Sequence, residues 1–100
     1  MEEIYMKINE IIQDLLIPAR TEKRIDTEVF NRFYNILVEL ESKVRGKQYI
    51  PRKIVGILYF IYTSLSAEAM YCNYQDELFI AVADLEGMLD KIFWDSPFKN

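Results

Sequence analysis

Residues 51–70 read PRKIVGILYFIYTSLSAEAM, and the reading of this stretch decides the fold. From Ile54 to Ala67 it carries no charge for fourteen residues. A membrane-spanning helix needs about 20 predominantly apolar residues, so the stretch is too short for a span. The run from Ile57 to Tyr62, taken alone, could be a buried strand. Its surroundings favour a helix. Ile54, Leu58, Ile61 and Leu65 follow one another at steps of four, three and four, the period of one helical face, whereas a strand repeats every two. Pro51 suits the first position of a helix, where its missing amide hydrogen would have no partner anyway.

The same period extends outward in both directions. A first helix is predicted over 2–17, with Ile4, Ile8, Ile11, Ile12 and Leu15 on one face and Pro18 as its stop. A second is predicted over 26–45, opened by Asp26 or Thr27 as a cap and closed by Gly46. Its stripe is Val29, Phe33, Ile36, Leu40 and Val44, widened by Phe30 and Leu37. The third covers 51–70. A fourth is predicted over 74–93, capped by Asn73, with Leu78, Val82, Leu85, Leu89 and Ile92 inward and a tail at 94–100. Joined by short loops, four such helices give an all-α, antiparallel up-down-up-down four-helix bundle as a single domain over 1–100. In that topology the 43–53 connector shares one end with both termini. The expected core includes Leu40, Leu58, Ile61, Val82 and Leu85.

Composition supports a globular domain: 51% hydrophobic and 28% charged residues, with three Gly and three Pro, too few turn-formers for an all-β fold. The lone Cys72 cannot form an internal disulfide, which fits a reducing compartment. The start, Met-Glu-Glu, is acidic where a secretory signal is basic, so a cytoplasmic location is expected.

Chemistry is scarce in this sequence. It has no histidine, hence neither the commonest general base nor the commonest metal ligand. Cys72 lies beside Tyr71 with no basic residue nearby and reads as a packed thiol. The glycines are too scattered for a phosphate loop. The pairs Glu39/Glu41 and Asp84/Glu86 sit two apart and face different directions on a helix. No enzyme activity, metal or cofactor is expected.

Charge is uneven along the chain. The net charge is −4, which argues against nucleic acid as a partner. Yet Lys43, Arg45, Lys47, Arg52 and Lys53 place five positive charges in eleven residues without an acid. One reading is a helix C-terminus and a solvated loop. The other is contact with an acidic partner or an anionic membrane surface.

Opposite the core stripe of the third helix, Gly56, Thr63 and Ala67 align, bordered by Tyr59 and Phe60. On the fourth, Asp76, Ile80, Ala83 and Gly87 align likewise. This strip of small residues edged by aromatics is a candidate surface for docking a helix or peptide. Alternatively the tail, with Phe93, Trp94 and Phe98, folds back and covers it. The partner-binding residues expected from sequence are Gly56, Tyr59, Phe60, Thr63, Ala67, Ile80, Trp94 and Phe98.

The blocks Leu58-Tyr59-Phe60, Tyr62-Thr63 and Tyr74-Gln75-Asp76-Glu77-Leu78 resemble immunity proteins of pediocin-like (class IIa) bacteriocins. The similarity is concentrated in residues 54–85. The stretch between the aromatic block and Tyr74-Gln75 is slightly longer here than the family pattern. The resemblance implies a cytoplasmic four-helix bundle that protects a bacterium by associating, from inside, with a membrane mannose phosphotransferase receptor occupied by bacteriocin. It also implies that specificity resides in the C-terminal half. A generic helical interaction module, antitoxin-like or a regulatory subunit, is the competing interpretation.

Overall fold

The computed structural model describes residues 1–94. It consists of α1 (Glu2–Glu22), α2 (Thr27–Val44), α3 (Arg52–Ala69) and α4 (Glu77–Phe93). Every helix is amphipathic and turns its apolar stripe toward one shared core. Successive helices run in opposite directions, up-down-up-down, as expected.

Their neighbours around the ring follow a less simple order. α1 packs on α2 and α3, and α4 packs on α3 and α2. Going round the bundle, the order is therefore α1, α2, α4, α3, with α1 parallel to α3 and α2 parallel to α4. Side-chain contacts fix these directions. Lys53 near the start of α3 pairs with Glu2 at the start of α1, and Lys23 just past α1 pairs with Glu68 near the end of α3. Lys7 early in α1 reaches Glu39 late in α2 at 3.2 Å, as antiparallel packing requires. The connector between α2 and α3 thus crosses a diagonal of one bundle end.

Helix ends depart from the sequence reading in three places. Pro18 does not stop α1, which continues to Glu22 with Pro18 inside it. Proline's fixed φ is itself helical, and only the carbonyl of Asp14, on an exposed residue, loses its partner. Continuing the helix buries Ala19 and brings Arg20 and Lys23 against α3. α1 ends at Lys23, left-handed at φ 53°, whose amide and the next donate back to the carbonyls of Ala19 and Pro18. Pro51 is the cap of α3 and not its first helical residue; its carbonyl accepts from the amides of Ile54 and Val55. Asn73 does not cap α4. The helix begins at Glu77, and the Asp76 carboxylate is instead turned back to accept the Asn73 amide at 3.0 Å. Asp26 does cap α2, accepting from the amides of Glu28 and Val29 at 3.0 and 3.2 Å. Gly46, at φ 75°, makes the turn after α2 that side chains with a Cβ adopt at a cost.

The core stripe of α3 is fully enclosed: Ile54, Leu58, Ile61 and Leu65 are at most 1% exposed. On α4 the inward face is rotated from the expected one. Ala81 and Met88 join Leu78, Leu85, Leu89 and Ile92 in the core, while Val82 is half-buried. Because α4 faces both α2 and α3, the small Ala81 allows close approach beside Phe30, and Val82 moves to the α3 side. Ile12 and Ile36 are likewise half-buried at the edges of their stripes. Leu16, Ala19 and Ile25, outside the expected set, are buried by the longer α1 and its turn into α2.

Leu58 and Leu85 each sit at 1% exposure on the two sides of the α3/α4 contact. Truncating either to alanine is expected to cost roughly 2–5 kcal/mol in denaturant unfolding, whereas Val82→Ala costs less because its site is partly open. Negligible loss for both leucines would contradict the helix register described.

Candidate functional site

The exposed circumference of α3 divides into three strips with different chemistry. Toward α1, the seam is bridged by cations. The Arg20 guanidinium lies 5.8 Å from the centroid of the Phe60 ring and reaches Ser64 Oγ at 3.4 Å. The Lys53 ammonium sits 4.7 Å over Tyr5, and Lys23 lies 5.3 Å from Tyr71 while pairing with Glu68. Each such contact contributes about 0.5–1 kcal/mol at an exposed site. Together they set a cation beside each aromatic ring of this seam, although Tyr71 and Phe60 themselves stay exposed.

Facing outward is the crest made of Gly56, Thr63 and Ala67, as the sequence spacing predicts. The Thr63 hydroxyl donates to its own helix, to the carbonyl of Tyr59 at 2.9 Å, so it is not offered to a partner. A Cβ built on Gly56 meets nothing within 4 Å, and the same is true of Gly87 on α4.

Toward α4 lies an open apolar groove. Tyr59 and Tyr62 from α3, with Leu89 and Phe93 from α4, line one depression of about 310 Å³. A second, of about 200 Å³, is lined by Ser66, Ala69 and Met70 opposite Phe79, Val82 and Ala83. The two meet at Glu86, whose Oε2 accepts the Tyr62 hydroxyl at 3.2 Å. The Ser66 Oγ is buried at the groove wall and has no hydrogen-bond partner among the described residues. Tyr59 and Met70 are 68% and 84% exposed, large apolar side chains standing in water along one line.

The residues singled out from sequence are therefore not one surface. Gly56, Thr63 and Ala67 share the crest, Tyr59 belongs to the α4 side and Phe60 to the α1 side. Ile80 lies on the far flank of α4, in a separate depression of about 190 Å³ with Ile25 and Phe30 of the α2 end. Trp94 stands exposed at the end of α4. Phe98, and the fold-back of the tail with it, lie outside the described residues. Sequence reading missed Phe79 and Met70, and placed Phe93 in a covering tail where the structure makes it the last residue of α4 and a wall of the groove. The signal was a second stripe on α4, Phe79, Val82, Glu86 and Phe93 at helical steps, hidden beside the stronger core stripe.

The five basic residues of the connector are divided by the diagonal crossing. Lys43 and Arg45 end α2 and pair with Glu39, at 3.9 Å, and Glu41. Hydrogen bonding from Arg45 holds the Glu41 carboxyl below its ordinary value of 4.5, against the opposing effect of partial burial and with help from the charges of Arg45 and Lys91. Lys53 belongs to the opposite corner, paired with Glu2. Lys47 and Arg52 are exposed and make no ion pair among the described residues. Cys72 is half-buried, its thiol 3.8 Å from the carbonyl of Glu68. Among the described residues no helix is long and apolar enough to cross a membrane, and no group of three metal-binding side chains converges.

The open space over Gly56 makes a two-part prediction. Gly56→Ala should stabilise the free protein by about 0.5–1 kcal/mol, as expected for a helical glycine whose added methyl meets nothing, measured by thermal or denaturant unfolding. If a partner's backbone approaches the crest, the same variant loses binding despite its gain in stability. Unchanged binding would remove the crest from the site.

Comparison with family models, with curated proteins and with solved structures finds no match for this chain.

Proposed function

We propose that this chain is an immunity protein against a pediocin-like bacteriocin. It acts without catalysis, at the cytoplasmic face of the membrane, by associating with the bacteriocin-occupied mannose phosphotransferase receptor. The observation that carries this reading is that the residues behind the family resemblance belong to one α3/α4 hairpin and serve two ends there. Leu58 and Leu78 are buried and hold the hairpin to the core. Tyr59 and Tyr62 line its open groove, and Tyr74, 72% exposed, stands in the turn. A bundle whose unusual exposed apolar surface is on its second hairpin is suited to binding by shape, and such surfaces mark interaction sites on proteins.

Expression of the chain in a sensitive strain should confer resistance to a pediocin-like bacteriocin and leave sensitivity to a membrane-active peptide with another receptor unchanged. No protection at normal expression overturns the reading and leaves the alternative of a helical module for a different partner.

Peripheral contact with anionic lipid belongs to the same proposal and concerns the bundle end that carries the connector. Lys47 and Arg52, which make no ion pair among the described residues, can present their charge to lipid. Replacing both with glutamine should weaken binding to anionic vesicles by about 1 kcal/mol per side chain. Equal binding of the unaltered chain to neutral and anionic vesicles would leave the cluster as a solvated connector.

A further inference from the structure

The geometry points to the α3/α4 groove as the seat of a cationic amphipathic helix supplied by a partner. This inference deepens the reading above, since it names the class of partner for the same hairpin, and it rests on three observations of the groove itself.

The first is size. Phe79 and Phe93 mark its two ends on α4 and are fourteen residues apart, about 21 Å along a helix. That length matches about four turns of a docked helix presenting one apolar ridge. The second is charge. Among the described residues, the only charged side chains lining the groove are the carboxylates of Glu86 and Asp90. Neither is in an ion pair among the described residues, and α3 contributes no charge between Lys53 and Glu68. The third is the contrast with the other side of α3. There the protein's own Arg20, Lys23 and Lys53 lie over Phe60, Tyr71 and Tyr5 and reach the acids Glu68 and Glu2. The α3/α4 seam offers the same combination, aromatic edges beside carboxylates, with no cation lining it among the described residues. A helix with an apolar ridge flanked by Lys or Arg supplies what α1 supplies on the opposite side.

Other occupants fit less well. In a two-fold dimer through this groove, the carboxylates of Glu86 and Asp90 from both copies would be brought into one seam, like charge against like. Within residues 95–100 the one large apolar side chain is Phe98, whereas the groove has two apolar depressions.

The test titrates the full chain with two synthetic helices of about 18 residues that share one leucine ridge, their polar positions all Lys in one and all Glu in the other. The Lys peptide should bind, more weakly as salt rises, and shift the amide resonances of α3 and α4 in NMR spectra, while the Glu peptide does not bind. Glu86→Gln with Asp90→Asn, and separately Tyr59→Ser with Phe79→Ser, should each weaken binding at least about tenfold. Glu10→Gln with Asp14→Asn, which removes two exposed acids from α1 outside both depressions, should change it by less than about twofold. Circular dichroism of each variant separates lost binding from lost fold. Equal binding of the two peptides, or equal loss in the α1 variant, overturns the proposal. So does a dimer in sedimentation that dissociates on Phe79→Ser. Resonances of residues 95–100 that move with Phe79→Ser in the absence of peptide place the chain's own end in the groove, and also overturn it. Peptide binding and protection are read separately. Protection without binding refutes the groove and spares the immunity reading, and binding without protection does the reverse.

Discussion

A helix without a charge for fourteen residues needs neighbours on more than one side, and α3 is such a helix. Its stripe of Ile54, Leu58, Ile61 and Leu65 supplies the centre of the core, and α1 and α4 take up positions on its two flanks. Much else follows from that demand. α1 must run on through Pro18 to match the length of α3, and its last turn then provides the cations that close their shared seam. α2, with its own stripe to bury, is left the corner diagonal to α3. The connector must cross to the opposite corner, which is where Gly46 and Pro51 turn the chain.

The fold was legible because its signals were long and mutually consistent. Four stripes at helical period, Asp26 as a cap and Gly46 as a stop gave the number and direction of the helices. What could not be read was decided between helices. Pro18 is a strong local stop, yet its penalty in an exposed turn is smaller than the gain from burying Ala19 and docking the last turn on α3. The choice between Val82 and Ala81 as a core residue depends on which neighbours flank α4. Periodicity is silent about that, because both residues continue the same stripe. Asn73 and Asp76 are both good caps by residue type, and the longer turn before α4 engages them with each other.

The site was legible in the same partial way. Sequence spacing located the crest of α3, since that follows from one helix alone. It could not show that Tyr59 and Phe60, adjacent in the chain, belong to two seams of opposite character. One seam is finished internally by arginine and lysine, and the other is left as apolar walls with two carboxylates. Nor could it separate Ile80 from the rest, because its distance from α3 is a property of the ring order. The basic run was conspicuous in the sequence and is dispersed in space, with three of its five members tied to acids of the same chain.

The ring order also bears on how the chain reaches its native state. α1 with α2, and α3 with α4, are two antiparallel hairpins, closed by the segments 23–26 and 70–76, whose contacts are local in sequence. Only their mutual docking, α1 along α3 and α2 along α4, joins distant parts of the chain. Loop-closure entropy is therefore met chiefly in one step, after each hairpin has had the chance to form, and a low mean sequence separation of this kind favours rapid assembly. The same division gives the molecule a natural line of exchange. If the diagonal connector were to extend, the second hairpin of one molecule could dock on the first hairpin of another and satisfy the same buried stripes, the usual route to a domain-swapped pair.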